Sequence, residues 1–553
     1  MGNQLIKDTH IEKESIGNAG IGSQWEMHSG HRLGKTKTPV TIFLFEKKSI
    51  SKVSSSLKEE ALTLIKKEPQ SLAKLKHPGI LSLVDPLLED QRSMGFVTEA
   101  TKGSLQTLIN SNKVADIFPT ELDTKFHLLE IAETLSFLHN DVKSCHLSLG
   151  PENIYVLAEE KWKIGGFPFT TQILQGGTAD TNIDFQKFGD LRLSPSLKFT
   201  APEVASYPSK GSFSSDIFSF GCLIYTLYKI NQDKNTKNPY LMDVHSPHAV
   251  QDAAKNIYKQ NLSCIPEQIR PTVTRMLNPD PKMRITINEF LNLQWFKDPF
   301  IQTVKHLETL YQKEPPQQQA FLRGIAQIVM KFEKKFIISK ILPLLNNLIK
   351  NEQLASSIIP IYFQLIDSEL TPILTKEEFQ SIIWPSIKAL TTGKNIPAQA
   401  LYLLIQNSHL IVDITDIKEI QTVFVPLLIK SFECGVPKLQ ILALQKTEAL
   451  FNKIEYSVSK SQILPRILHL CIDQNISLRK EAIVLLSKIH GSFDKTSIND
   501  QVLPTLEKLR KFNNNYKINM TMLSIFEGIS KNIGIDVNFL PIRILIFPLG
   551  YCE

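Results

Sequence analysis

A two-lobed α+β domain followed by an all-α repeat array is the fold class that this sequence predicts. Two observations lead there. Over the first 300 residues, short apolar stretches bounded by turn residues give way to long helical patterns, and the remainder repeats itself about every forty residues. At 553 residues the chain can supply two to four domains, each with a core of its own. Apolar residues make up 42% and charged residues 21%, the balance of a globular chain, which sets aside a disordered or fibrous reading. With 62 Lys and Arg against 55 Asp and Glu, the net charge of +7 permits an acidic partner without requiring one.

In the first part, a polar, Gly-bearing stretch from 24 to 41 leads into Val40-Thr41-Ile42-Phe43-Leu44-Phe45, which reads as a buried strand. Residues 56–76 take helical spacing, 80–84 and 95–98 read as strands, and 120–139 and 214–228 are the clearest helices. In the second part an apolar residue followed by Pro recurs at Pro343, Pro385, Pro426, Pro465, Pro504 and Pro541, at spacings of 42, 41, 39, 39 and 37. Each Pro is expected near the start of a helix, where the first turn has no use for its missing N–H. A second amphipathic segment follows each, such as 438–453 or 478–489. Two helices per unit at this period predict HEAT-type repeats stacked as a solenoid. The last unit breaks off at Glu553, leaving either an irregular end or a longer natural chain. The divisions are an N-terminal extension (1–15), a bilobal domain (16–300) and repeats (301–553).

Six cysteines, from Cys145 to Cys552, show no paired spacing, so neither a disulfide framework nor a zinc site is predicted. The longest apolar stretch, 537–551, is short and carries Arg543 and two prolines, so no membrane span is predicted. Met1-Gly2 starts the chain, but Ile6 stands where a myristoylation signal needs Ser or Thr.

Chemistry is written in motifs that are present in outline and altered at their reactive positions. His146-Leu147-Ser148-Leu149-Gly150-Pro151-Glu152-Asn153 matches the protein-kinase catalytic loop H-R-D-L-x-x-x-N. There the Asp accepts the substrate proton and the Asn holds magnesium; here Ser148, an alcohol, replaces the base. Lys163-Ile164-Gly165-Gly166-Phe167-Pro168 stands for K-I-x-D-F-G, and Gly166 replaces the principal metal ligand. Val40 to Phe43 matches V-A-I-K, with Phe43 replacing the phosphate-pairing Lys and so leaving Glu68, the helix Glu that should pair with it, without its cation. Gly20 and Gly22 keep two glycines of a phosphate-covering loop, with Trp25 at the third. Gly20, Gly22, Glu99 and Asn153 are the vestigial nucleotide-binding candidates.

The structural landmarks are intact. Ala201-Pro202-Glu203 matches A-P-E, Asp216 to Gly221 matches D-x-W-S-x-G, and 277–286 carries L-N-x-D-P-x-x-R-x-T. Glu68, His146, Glu203, Asp216 and Arg284 are assigned structural roles, with Glu203 and Arg284 forming a buried pair. The reading is a protein-kinase-like domain without base, metal ligand or Lys, hence no catalysis, no required cofactor, no metal, and room for ATP without turnover.

Taken together, V-T-I-F, H-L-S, the missing D-F-G and the repeats resemble the Scyl family of pseudokinases, and 265–284, 296–310 and 321–324 are similar to its coated-vesicle-associated branch. The resemblance implies a scaffold in vesicle-mediated traffic, peripheral on Golgi or endosomal membranes or coated vesicles, with clathrin, adaptor complexes and sorting proteins as partners. Asp298-Pro299-Phe300 matches the D-P-F tripeptide that adaptors bind, at a place where Phe300 is expected to be buried. Two alternatives stand beside this: a residually active or nucleotide-regulated Ser/Thr kinase, and the tRNA-export or retrograde-coat role of sister branches. The near-even charge mix shows no basic stripe for RNA.

Overall fold

The computed structural model describes residues 8–533 apart from 35–36, 52, 112–119, 159, 174–176, 189–190, 235, 258–259, 368–371, 394–395 and 514. The lipidation candidate Gly2, Pro541 and the apolar stretch 537–551 lie outside the described residues. The chain forms two compact units, Met1–Gln302 and Thr303–Glu553.

The first unit opens with an antiparallel sheet in the order β1-β2-β3-β5-β4, made by β1 (Thr9–Ala19), β2 (Trp25–Arg32), β3 (Pro39–Glu46), β4 (Leu83–Glu89) and β5 (Ser93–Glu99). The central strand β3 is buried on both faces, hence its continuous apolar run. Val40 and Ile42 pack with Val97 on one face, and Phe43 and Phe45 point to the other. β1 starts at Thr9, so the sheet takes in residues read as an N-terminal extension. That strand is an edge, mostly exposed, and lacks the apolar alternation by which a strand is recognised. Helix α1 (Ser55–Lys74) packs on the sheet, capped by Ser54. Ile80 falls before β4 and makes only a single bridge, to Ile164. After the connector strand β6 (Thr101–Ser104), the unit is mostly helical around Glu121–Asn140 and Phe213–Gln232.

The second unit is a stack of helix pairs. The first helices run 334–348, 376–392, 417–433, 456–471 and 495–512, and the second 352–364, 398–406, 437–451, 476–489 and 516–533. Consecutive second helices pack on one another, as do consecutive first helices, which is a helical-repeat solenoid. The prolines, however, do not start their helices. Each of the five described ones lies more than a turn inside, two residues past the end of a five-residue π-helical turn: 337–341, 379–383, 420–424, 459–463 and 498–502. The wider turn accommodates a residue that cannot donate its N–H and whose ring would clash with the preceding turn. True starts come earlier, at capping residues such as Thr375, Asp416 and Asp494. Adjacent repeats are tied by Lys334–Glu378 (2.8 Å), Lys388–Glu419 (3.4 Å), Arg466–Glu433 (2.7 Å) and Lys460–Asp494 (2.7 Å).

Candidate functional site: a cleft filled from within

The cleft between the lobes is lined by β3, the β5–β6 connector, the loop before β2 and the segments around Ser148 and Gly166. Phe43 is 1% exposed, stacks on Phe96 with centroids 4.6 Å apart, and meets Tyr155 edge-on at 5.6 Å. Trp25 closes the cluster against Phe96 at 4.8 Å. Where a phosphate-pairing Lys would project, an aromatic core has formed. Two residues before Phe43, and therefore on the same side of the strand, Thr41 turns its hydroxyl to the connector and accepts the Thr101 N–H at 2.8 Å. The Glu99 carbonyl accepts the Thr98 hydroxyl at 3.0 Å. The Thr101 N–H, a donor that the connector could offer to the edge of a base, is thus engaged within the chain.

The glycine loop is docked downward. Gly20 (φ 73°) donates its N–H to the Glu152 carbonyl at 3.2 Å, and Gln24 donates its side-chain amide to the Leu191 carbonyl at 3.0 Å. Gly22 (φ 54°) lies so close to Arg192 that an added Cβ would stand 1.8 Å from its carbonyl oxygen. Below this contact, Asn153 donates to the Ser148 carbonyl at 2.6 Å and hydroxyl at 3.0 Å, so the positions of base and second metal ligand bond to each other. Gly166 has φ 79°, and a Cβ there would stand 2.0 Å from the Asn153 Cγ. Of the metal-binding chemistry only the Asn153 Oδ1 remains, a buried oxygen without a partner. Among the described residues no group of three His, Cys, Asp or Glu could hold a metal ion. One neutral oxygen beside a glycine does not fit a magnesium nucleotide.

The remaining predicted residues build the frame. Glu68, 2% exposed, accepts the N–H groups of Gly166 at 2.8 Å and Phe167 at 2.6 Å, so α1 grips the D-F-G-like segment directly. Glu99 is held by Lys163 at 2.7 Å and by the Ser82 N–H at 2.7 Å. Asp216, fully buried, accepts the His146 and Leu147 N–H groups at 2.7 and 2.8 Å and pairs with His139 at 2.9 Å. His146 contacts the Gly165 carbonyl at 2.8 Å. Glu203 and Arg284 make a bidentate pair at 2.7 and 2.9 Å.

Residues 36–296 match the protein kinase domain family. SCY1-like protein 2 of Mus musculus is 27% identical over 92% of this chain and 55% of its own length, so the chain spans about half of that relative. A second relative, the protein kinase domain-containing protein ppk32 of Schizosaccharomyces pombe, is 27% identical over 91% of this chain and 68% of its own length. Over nearly its whole length the chain is thus similar to kinase-like proteins of the Scyl family. A third relative, from Dictyostelium discoideum, is 25% identical over 66% of this chain and 39% of its own length, and is named "Probable inactive serine/threonine-protein kinase scy1".

Sequence reasoning on this chain missed Thr41 and Tyr155. The signal was there: Thr replaces Ala in V-A-I-K, and an aromatic follows P-E-N-I. The D-P-F tripeptide also differs from expectation, since Phe300 is half-buried rather than buried. Asp298 pairs with Lys125 at 3.1 Å and accepts the Phe300 N–H, which holds the tripeptide at the start of the helix Pro299–Glu308.

Burial pushes the Glu68 carboxyl up to about 7, against the opposing pull of its two N–H donors. The folded state therefore holds this proton more tightly than the unfolded state. Its stabilising effect is complete below the ordinary carboxyl range and is lost as pH rises toward 7. Unfolding free energy should fall across that window by up to about 1.4 kcal/mol per pH unit for each such group. Glu152, raised to about 7 by burial as well, adds a parallel slope. Denaturant titrations between pH 5 and 7 should show the Glu68→Gln variant losing less stability with rising pH than wild type, by up to about 1.4 kcal/mol per pH unit; an unchanged slope would refute the assignment.

Proposed function

We propose that this Scyl-family chain is a catalytically inactive kinase-like scaffold. The observation that carries this reading is the Thr41 hydroxyl on the Thr101 N–H, with Phe43 closing the adjoining space. A cleft satisfied by its own side chains has little to gain from a nucleotide. Thermal unfolding with millimolar ATP, with and without magnesium, is expected to show no shift, whereas a ligand at 100 times its dissociation constant would add about 2.7 kcal/mol. A second reading, nucleotide binding without turnover or with residual turnover, draws on the unpartnered Asn153 Oδ1. A magnesium-dependent shift would favour it and call for a phosphotransfer assay.

The scaffold serves vesicle-mediated membrane traffic, with clathrin, adaptor complexes or sorting proteins held on its surfaces and membrane contact made through them. What supports this is the resemblance to the coated-vesicle-associated branch. No described helix is long and apolar enough to cross a membrane. The tRNA-export alternative needs clustered cations, and the near-even charge mix of the sequence shows no basic stripe. Pull-down from cytosol, probed separately for coat proteins and for RNA, should return coat proteins; recovery of RNA alone would reverse the choice.

A further inference from the structure

A cleft of about 780 Å³ lies on the first unit, between the outer face of α1 and the segment that precedes the helix Phe213–Gln232. Its floor is apolar, built by Leu64, Ile183 and Phe188, each less than 8% exposed. Its rim is acidic: Glu59 and Glu60 come from α1, and Asp180 and Asp184 from the opposite wall. Two lysines line it as well, and Lys187 is taken up by Glu60 at 2.5 Å. The four carboxylates against Lys67 and Lys187 leave a net charge of −2 in a chain of net +7. Glu59 and Asp180 make no ion pair among the described residues.

The walls are fixed. Ala179 and Asp180 pair in antiparallel register with Gly211 and Lys210, Thr181 donates its hydroxyl to Ser209 at 2.6 Å, and the Ser209 hydroxyl is anchored to the Val204 carbonyl at 2.7 Å. The Lys187–Glu60 pair joins one wall to the other. At the mouth stands Tyr207, 97% exposed, beside Pro208. A tyrosine so exposed buries little of its ring in its own fold, and an aromatic at the edge of a cleft is what an interface uses as an anchor.

We infer that this cleft docks an extended basic segment of a partner protein, whose Lys or Arg heads meet Glu59, Asp180 and Asp184 while an apolar side chain enters between Leu64, Ile183 and Phe188. Charge complementarity selects this occupant over an anionic membrane or a nucleic acid, both of which the rim repels. An Arg guanidinium stacked on Tyr207 would add a contact that Lys makes less well. The inference goes beyond the scaffold reading and does not depend on the state of the nucleotide cleft, so either can fail alone.

The test is fluorescence anisotropy on the full chain with a labelled ten-residue peptide of alternating Arg and Leu, compared with one of alternating Glu and Leu. The Arg peptide is expected to bind and the Glu peptide not to. The double variant Glu59→Lys, Asp180→Lys should weaken binding by about tenfold or more, and Tyr207→Ser by about tenfold. Glu12→Lys, Glu14→Lys, with the same charge change on the exposed face of β1, should leave it within about twofold. Equal weakening by the two charge-reversal variants would reduce the binding to overall charge and overturn the inference, as would equal binding of both peptides or preference for phosphatidylserine vesicles. Unchanged thermal unfolding of each variant excludes misfolding as the cause.

Discussion

Replacing Glu203 by alanine is expected to cost the first unit about 3–5 kcal/mol, the effect of stranding one member of a buried ion pair. Arg284 has no exposed side-chain surface and sits over the Phe218 ring at 4.9 Å. Its guanidinium also donates to the carbonyls of Asn278, Ser214 and Pro279, so it cannot swing out to water without breaking these bonds. Glu203 in turn accepts the Ser215 hydroxyl at 2.7 Å, at the first turn of the helix Phe213–Gln232. The loss should therefore appear in that helix. Hydrogen exchange of its amides reads this unit separately from the solenoid, which a single melting curve does not. Exchange at the wild-type rate would mean that the pair adds no stability. A Glu203→Met, Arg284→Leu double variant should recover much of the loss, because the cost lies in the unpaired charge rather than in the missing contact.

That pair was legible in the sequence because its two halves sit in recognisable motifs and their chemistry admits one partner. The solenoid was legible for a related reason: a period near forty survives any error in placing single helices. What the repeat pattern could not convey was where each proline lies within its helix. A proline reads as a start only if the preceding residues are assumed not to be helical, and the π-helical turns remove that assumption. The departures from the kinase motifs at Phe43, Ser148 and Gly166 were equally plain in the sequence. How the new residues pack was not. Whether a phenylalanine leaves a hole or completes a core depends on Trp25, Phe96 and Tyr155, which come from distant stretches of chain. Thr41 was legible only as a departure from V-A-I-K, and nothing in the sequence said that its hydroxyl takes the Thr101 N–H.

The same packing makes a sharp forecast for restoring the missing metal ligand. Gly166→Asp is expected to destabilise the first unit by about 2–5 kcal/mol and to confer no magnesium-dependent stabilisation by ATP. Position 166 has φ 79°, which an aspartate tolerates better than most residues yet not freely. The larger obstacle is steric: the new Cβ would meet the Asn153 side chain at 2.0 Å, and Asn153 is itself fixed by two bonds to Ser148. Displacing it breaks those bonds within a buried site. The Gly166 N–H is also one of the two that Glu68 accepts, so a shift of the backbone would loosen the grip of α1 on this segment. If Gly166→Asp instead left stability unchanged and produced a magnesium-dependent thermal shift with ATP, the cleft would have to be open in solution, and the docked glycine loop would be one of two states rather than the resting one.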